Sequence, residues 1–177
     1  TSGALVIVDE LLFWSAILLV FYAYSGYPLL LIVMKWVRTR NVRKADITPS
    51  VTLIITAYNE ERRIAEKLDN TVQLDYPTAL LEVLVASDCS SDRTDEIVEG
   101  YAHRGVRLVR APLRKGKEAA QKLAVGVAKG EILVFSDVAT ILQPEAIRNI
   151  VKSFNDPSVG CVSSVDRFVD QDGRTSW

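Results

Sequence analysis

The hydrophobic and polar positions divide the chain into two parts with different patterns. Residues 11–34 are 24 consecutive positions without a charged side chain. At about 1.5 Å per residue, a helix of this length crosses the roughly 30 Å hydrocarbon layer of a bilayer. We therefore predict a transmembrane helix over 11–34, with a kink or a break at Gly26 and Pro28.

A buried core helix and a cleaved signal peptide are the alternatives for this segment. A core helix is rarely this long without a charge. A signal peptide starts with basic residues and has a shorter apolar region, whereas Asp9 and Glu10 precede this one. Both alternatives are therefore disfavoured.

After Pro49 the pattern changes to short apolar runs separated by amphipathic stretches. The runs are typical of strands covered on both faces of a sheet, and they lie at 51–56, 82–87, 106–110, 131–136 and 159–165. The stretches between them predict helices near 60–72, 91–103, 117–129 and 144–154. This alternation predicts right-handed βαβ crossovers and an α/β domain with a mostly parallel sheet.

Charge is distributed unevenly, although the formal net charge is only −1. Residues 1–34 carry −2, residues 35–48 carry +4 and residues 49–177 carry −3. The basic cluster in the middle region consists of Lys35, Arg38, Arg40, Arg43 and Lys44. By the positive-inside tendency, we expect a short extracytoplasmic segment at 1–10, a basic juxtamembrane linker at 35–48 and a cytoplasmic domain at 49–177.

The composition narrows the class of protein. With 49% apolar and 24% charged residues, the chain is too apolar for a disordered protein and too charged for a polytopic membrane protein. The basic cluster lies where anionic head groups attract it, so we expect membrane lipids as partners and no nucleic acid.

Cys89 and Cys161 have no C-x-x-C spacing, and in a cytoplasmic domain we expect them to be reduced and structural.

Polar segments follow the predicted strands, at the edge where parallel sheets bind ligands. They are 57–61 (AYNEE) after the first strand, 87–94 (SDCSSDRT) after the second and 136–140 (SDVAT) after the fourth. A basic turn, 114–117 (RKGK), precedes the third helix. We therefore expect these four segments to lie close together.

The residue types in these segments fit a phosphate-bearing ligand with a base attached. Tyr58 can face a nucleobase, Asp88 can accept from an imide or ribose donor, and Lys117 at a helix start can meet a phosphate. Asp137 can hold a sugar hydroxyl or a divalent ion. Each residue alone also fits a turn, a helix cap or a solvated lysine, so it is their convergence that favours a ligand site.

Other classes of site lack their motifs. No G-x-G-x-x-G follows the first strand and no G-x-x-x-x-G-K-S/T occurs, so neither a nicotinamide site nor a P-loop is predicted. His103 is the only histidine and lies at the predicted end of a helix, where we expect it to cap carbonyls. A histidine-rich metal site is thereby excluded.

In this order and spacing, the four segments resemble those of the family 2 glycosyltransferases of the GT-A fold, including cellulose-synthase-like and hyaluronan-synthase-like membrane members. The similarity covers about residues 50–165, and the N-terminal helix is similar to theirs too. The resemblance implies a Rossmann-like GT-A domain. It also implies inverting transfer of a sugar from a nucleotide-diphospho-sugar, usually a UDP-sugar, to a glycan or lipid-linked acceptor, with Mg²⁺ or Mn²⁺ on the diphosphate.

The resemblance also assigns residues. Those implied to bind the donor nucleotide are Ala57, Tyr58, Glu60, Asp88, Lys117 and Asp137. Asp88 would contact the uracil or ribose, and Lys117 would lie near the base or the phosphates. Asp137 takes the first place of the family's Asp-x-Asp and is the implied metal ligand. Ala139 stands where the family has the second Asp, so a pair of carboxylates is not available to the metal.

Two functions from different classes stay open. The family places its catalytic base beyond the fifth strand, where Asp166, Asp170 and Asp172 lie in a sequence typical of a solvated loop. We therefore expect 49–177 to be the donor-binding half of a truncated inverting enzyme of the plasma (inner) membrane, with the base outside this chain. The alternative is a catalytically inactive, membrane-anchored nucleotide-sugar-binding or adapter protein. A nucleotidyltransferase of similar topology is a third interpretation.

Overall fold

The computed structural model describes residues 2–37, 41–164, 168–169 and 175–176. The chain forms two units, Thr1–Asn41 and Val42–Trp177. The first unit is helical from Ser2 to Val37, with helix α1 (Ser2–Phe21), a π-helical segment (Tyr22–Gly26) and helix α2 (Tyr27–Val37). The helix thus begins before the predicted membrane segment and includes Asp9 and Glu10.

The irregularity expected at Gly26 and Pro28 takes the form of the π-helical segment, and the helix is not broken there. The Tyr27 amide donates to the Tyr22 carbonyl, five residues earlier. Proline has no amide proton and its ring clashes with the carbonyl four residues back. The π-helical segment ends two residues before Pro28, in the turn where this clash arises. Ile7–Trp36 is long and apolar enough to cross a membrane, by length and composition.

The second unit contains a four-stranded, fully parallel sheet. Its strands are β1 (Val51–Ala57), β2 (Leu81–Ser87), β3 (Val106–Arg110) and β4 (Ile132–Asp137), in the order β3-β2-β1-β4. The helices are α3 (Ile64–Val72), α4 (Thr94–Gly100), α5 (Lys117–Val127) and α6 (Ala146–Val151). The predicted parallel α/β sheet is confirmed.

Shorter elements complete the described part of this unit. Three 3₁₀ turns occur at Thr78–Leu80, Ala102–Arg104 and Lys152–Asn155. Strands β5 (Phe168–Val169) and β6 (Thr175–Ser176) form an antiparallel pair.

The predicted fifth strand at 159–165 is wrong over residues 159–164, which have no regular secondary structure, and residue 165 lies outside the described residues. Its β-branched residues favour a strand only where they pack against neighbouring strands. Here Gly160, Cys161, Ser163 and Ser164 are exposed, so that packing is missing.

Both faces of the sheet are covered by helices. On one face, strand residues such as Leu53, Ile55 and Val85 pack in one core cluster with residues of α3, α4 and α6, including Leu68. On the other face, Ile54, Leu84 and Ala86 pack against Ala120 and Ala124 of α5. This explains why β1 and β2 are apolar at nearly every position.

Gly130 supplies a test of the packing between β1 and the start of β4. A Cβ at Gly130 would lie 2.3 Å from the Thr52 backbone nitrogen and 2.5 Å from the Val51 carbonyl carbon. Because both are backbone atoms, Gly130→Ala has to push the segment at residue 130 away from the start of β1. We expect the free energy of unfolding to fall by about 2 kcal/mol or more, measured by urea denaturation.

The matched control is Gly126→Ala in α5, where a Cβ meets nothing within 4 Å. Alanine is the better helix former, so we expect stability to stay constant or to rise by up to about 1 kcal/mol. Equal stabilities of the two variants would contradict the close approach at Gly130.

Candidate functional site

The carboxyl ends of β1, β2 and β4 lie side by side and bring the predicted segments together. In the register of the sheet, Ala57 is opposite Ser87, and Thr56 is opposite Asp137. The Asp88 amide donates to the Ala57 carbonyl at 3.0 Å. The polar segments that follow β1, β2 and β4 therefore lie next to one another at the carboxyl edge of the sheet.

Asp88 ties this edge to the basic turn. Its side chain is only 4% exposed, and its two carboxylate oxygens accept from the amides of Lys115 (3.0 Å) and Gly116 (2.9 Å). Gly116 has a φ of +90°, a conformation that residues with a side chain rarely adopt. The carboxylate thereby holds the turn from which α5 starts at Lys117.

The same turn places a cation on Tyr58. The guanidinium carbon of Arg114 lies 3.9 Å from the centroid of the half-buried Tyr58 ring. This is the stacking distance of a cation–π pair. Tyr58, which was predicted to face a nucleobase, is thus covered on one face by Arg114. The sequence indicated Arg114 only as part of the basic turn.

Lys117 and Asp137 form an ion pair across the site. The Lys117 ammonium lies 2.6 Å from the Asp137 carboxylate, and the side chains are 56% and 57% exposed. Exposed pairs of this kind contribute at most about 1 kcal/mol. Both groups can therefore exchange this contact for a phosphate and a cation at little cost.

The loops after β1 and β2 are joined by hydrogen bonds. Asn59 has a backbone φ of 53°, and its side-chain oxygen accepts from the Ser91 amide at 2.8 Å. The Glu60 amide donates to the Thr94 hydroxyl at 2.8 Å. Asp92 accepts from the Thr94 amide at 3.0 Å, at the start of α4. Asn59 and Asp92 therefore have the structural roles that their residue types favour.

Arg110, at the end of β3, fastens the loop after β2. Its guanidinium donates to the Ser90 carbonyl at 3.1 Å, lies 3.6 Å from the Cys89 sulfur and pairs with Asp95. Arg110 is not among the residues predicted from the sequence. No local pattern marks it, because its partners are brought to it only by the pairing of β2 with β3.

Lys67 was also missed. It is fully buried in α3, and its ammonium donates to the Ser136 hydroxyl (2.8 Å) and to the Thr140 carbonyl (2.5 Å). Burial lowers the pKa of Lys67 to about 8, against the opposing effect of the Asp137 charge. Helical periodicity could have found it, since Lys67 shares the buried face of α3 with Ile64, Leu68 and Thr71.

The side chains at the edge fit a divalent ion that arrives with a diphosphate. Among the described residues, no three His, Cys, Asp or Glu side chains form a cluster that could hold a metal. Asp137, the last residue of β4, supplies a carboxylate, and the Ala139 side chain supplies no ligand. Mg²⁺ in nucleotide sites is commonly held by one or two carboxylates plus substrate phosphates and waters, so one carboxylate suffices in that arrangement.

Two further sequence expectations can be checked. The His103 ring lies 2.8 Å from the Gly100 carbonyl at the end of α4, which confirms the expected capping contact. Cys89 and Cys161 are both free thiols, and the exposure of Cys161 contradicts the structural role expected for it. The late carboxylates Asp166 and Asp170, like Asp172, lie outside the described residues.

The model of the family described as Glycosyl transferase family 2 matches residues 52–177. The chain belongs to glycosyl transferase family 2. Its parallel sheet has the GT-A-like α/β fold of that family's solved members. The resemblance drawn from the four segments is thereby confirmed.

Two relatives of this chain are named for different polysaccharides. Succinoglycan biosynthesis protein ExoO of Rhizobium meliloti (strain 1021) is 27% identical over 132 residues, 73% of this chain and 37% of the relative. Hyaluronan synthase of Streptococcus pyogenes is 31% identical over 118 residues, 62% of this chain and 27% of the relative. The chain therefore spans well under half the length of these relatives.

Solved structures of family members show the same fold. The mannosyltransferase PcManGT from Pyrobaculum calidifontis, in complex with GDP-Man and Mn²⁺, is 35% identical with a TM-score of 0.74, over 85% of this chain and 46% of that one. TarS of S. aureus, in complex with UDP-GlcNAc, is 29% identical with a TM-score of 0.52, over 56% of this chain and 29% of that one.

The buried ammonium of Lys67 should make stability depend on pH. The folded chain releases this proton near pH 8 and the unfolded chain near pH 10.5. Between these values the unfolded state binds more protons, so the free energy of unfolding rises with pH. We expect this group to add at most about 3 kcal/mol over that interval.

Urea unfolding of the wild type and of Lys67→Met across this interval measures the effect. Other titrating groups are common to both proteins and cancel in the difference. The rise should be larger in the wild type, and parallel pH profiles would show that the pKa of Lys67 is not lowered.

Proposed function

We propose that this chain carries the donor-nucleotide site of a membrane-anchored inverting glycosyltransferase that uses a UDP-sugar. The observation that carries the proposal is the convergence of Tyr58, Asp88 and the Lys117–Asp137 pair on one edge of the sheet. The structures of relatives named as complexes with GDP-Man and UDP-GlcNAc support a nucleotide-sugar donor.

In this proposal, the nucleoside lies over the ends of β1 and β2. The Tyr58 ring offers a stacking surface once the Arg114 guanidinium moves aside. Each Asp88 oxygen keeps a second lone pair with which to accept from a uracil or ribose donor. Ala57, at the end of β1, and Glu60, in the turn that follows it, are assigned to the same nucleoside site.

The diphosphate lies between the basic turn and Asp137. As an acceptor hydroxyl bonds to the anomeric carbon from the opposite side, the bond from that carbon to the diphosphate breaks. The nucleoside diphosphate leaves with the electron pair and gathers negative charge, which Arg114 and Lys117 offset. An Mg²⁺ or Mn²⁺ ion held by Asp137 would offset more of that charge. As its oxygen bonds to the anomeric carbon, the acceptor hydroxyl passes its proton to a general base.

The N-terminal helix and the basic cluster support a place at the plasma or inner membrane, with a glycan or a lipid-linked acceptor. Ile7–Trp36 is apolar enough to span the bilayer. The basic residues that follow it favour a cytoplasmic GT-A domain in contact with membrane lipids.

One observation favours the second candidate, a nucleotide-sugar-binding protein without transfer activity. The turn after β4 has Ala139 where a second carboxylate would bind the metal directly. Release of UDP from a UDP-sugar in the presence of acceptor lipids separates the two candidates, since only an enzyme catalyses that release.

The nucleotide site itself is tested by calorimetric titration of the full chain, in detergent, with UDP and Mn²⁺. We expect saturable binding by the wild type. Asp88→Asn places an NH₂ group against one of the two amides of the basic turn, which then loses its acceptor, and it should weaken binding at least roughly tenfold.

The matched control is Asp69→Asn, which removes the same charge from an exposed ion pair with Arg104. It should bind UDP like the wild type. Absence of binding by the wild type, or equal affinities of the two variants, would contradict the assignment.

Membrane orientation is tested with the exposed thiol of Cys161. In intact cells, a membrane-impermeant maleimide should leave the protein unlabelled, and it should label the protein after the membrane is permeabilised. Cys161→Ser should remove most of the signal, because Cys89 is only partly exposed. Strong labelling of Cys161 in intact cells would place the domain on the other side.

A further inference from the structure

The buried ammonium of Lys67 lies beneath the turn that carries Asp137. Its two acceptors, the Ser136 hydroxyl at 2.8 Å and the Thr140 carbonyl at 2.5 Å, bracket Asp137 along the chain. The turn between them is closed by a hydrogen bond from the Thr140 amide to the Asp137 carbonyl at 3.2 Å. Lys67 thus joins both ends of the turn.

If the position of Lys67 served packing alone, an apolar side chain would fill it at a lower cost in free energy. Lys67 is 0% exposed and occupies a position in α3 whose neighbours on the buried face include Ile64 and Leu68. Burial of an ammonium is unfavourable unless hydrogen bonds compensate for it. Such departures from an apolar core are expected where a site needs them.

On the side of α3 the turn also packs through Val138, which is 4% exposed and belongs to the same core cluster as Ile64 and Leu68. A pocket of about 130 Å³ lies there, lined by Arg63, Glu66, Lys67, Val138, Ala139 and Ile141. The packing of Val138 holds the middle of the turn, and the two hydrogen bonds from Lys67 hold its ends.

We propose that Lys67 is a positioning residue, which holds the Ser136–Thr140 turn so that the Asp137 carboxylate meets the donor diphosphate and its divalent ion. This inference rests on the proposed function. Ala139 leaves the turn with one carboxylate, so the metal site depends on where that carboxylate lies. Groups that orient a metal ligand typically change metal affinity about 10–100-fold when removed.

Asn70 offers a matched comparison one helical turn further along α3. Its side chain donates to the Leu142 carbonyl at 2.8 Å and accepts from the Leu142 amide at 2.9 Å. It therefore fastens the same connecting segment, but beyond the turn that carries Asp137. Loss of Asn70 should lower stability without moving the carboxylate.

The experiment measures the dissociation constant of UDP for the full chain in detergent, with and without Mn²⁺. The ratio of the two constants is the metal-dependent gain in affinity. Lys67→Met removes both hydrogen bonds while filling a similar volume, and we expect it to lower this gain roughly tenfold. UDP affinity without metal should stay the same, and Asn70→Ala should keep the full gain despite a lower melting temperature.

Each outcome has a distinct meaning. A full gain in Lys67→Met overturns the positioning role. UDP binding by the wild type without any gain from Mn²⁺ overturns it too, while leaving the nucleotide site intact. No UDP binding by the wild type overturns the proposed function itself. If Lys67→Met does not fold, Ser136→Ala, which removes one acceptor, should show a smaller loss of the gain; an unchanged gain there overturns the inference.

Discussion

The buried carboxylate of Asp88 is the interaction on which the arrangement of the site depends. It joins the end of β2 to the turn that precedes α5 through the amides of Lys115 and Gly116. These bonds replace the water that the carboxylate loses on burial. They also fix the backbone positions of Arg114 and Lys117. As a result, the Arg114 guanidinium covers Tyr58 and the Lys117 ammonium contacts Asp137.

Two lysines act on the turn after β4 in different ways. Lys67 holds it from the buried side through hydrogen bonds to Ser136 and Thr140, whereas Lys117 contacts the Asp137 carboxylate in solvent. The buried contact is costly to break and suits a fixed support. The exposed contact is easily exchanged. Under the proposed function, the buried contact keeps the geometry of the site and the exposed contact is exchanged when the diphosphate binds.

The fold and the edge of the site were predictable because they follow from short-range patterns. Apolar runs with helical stretches between them predict a parallel sheet, and the ends of its strands locate the polar segments. Side-chain contacts between segments were not predictable. The stacking of Arg114 on Tyr58 and the clamp by Arg110 depend on tertiary placement, and the predicted strand at 159–165 failed because residues 159–164 lack strand packing.

The central claim is that segments 57–61, 87–94, 114–117 and 136–140 form one nucleotide site. Hydrogen–deuterium exchange of the full chain with and without UDP and Mn²⁺ tests it most directly. We expect slower exchange in all four segments, with β3 and α6 unchanged. Protection confined to one segment, or located away from the carboxyl edge of the sheet, would contradict it.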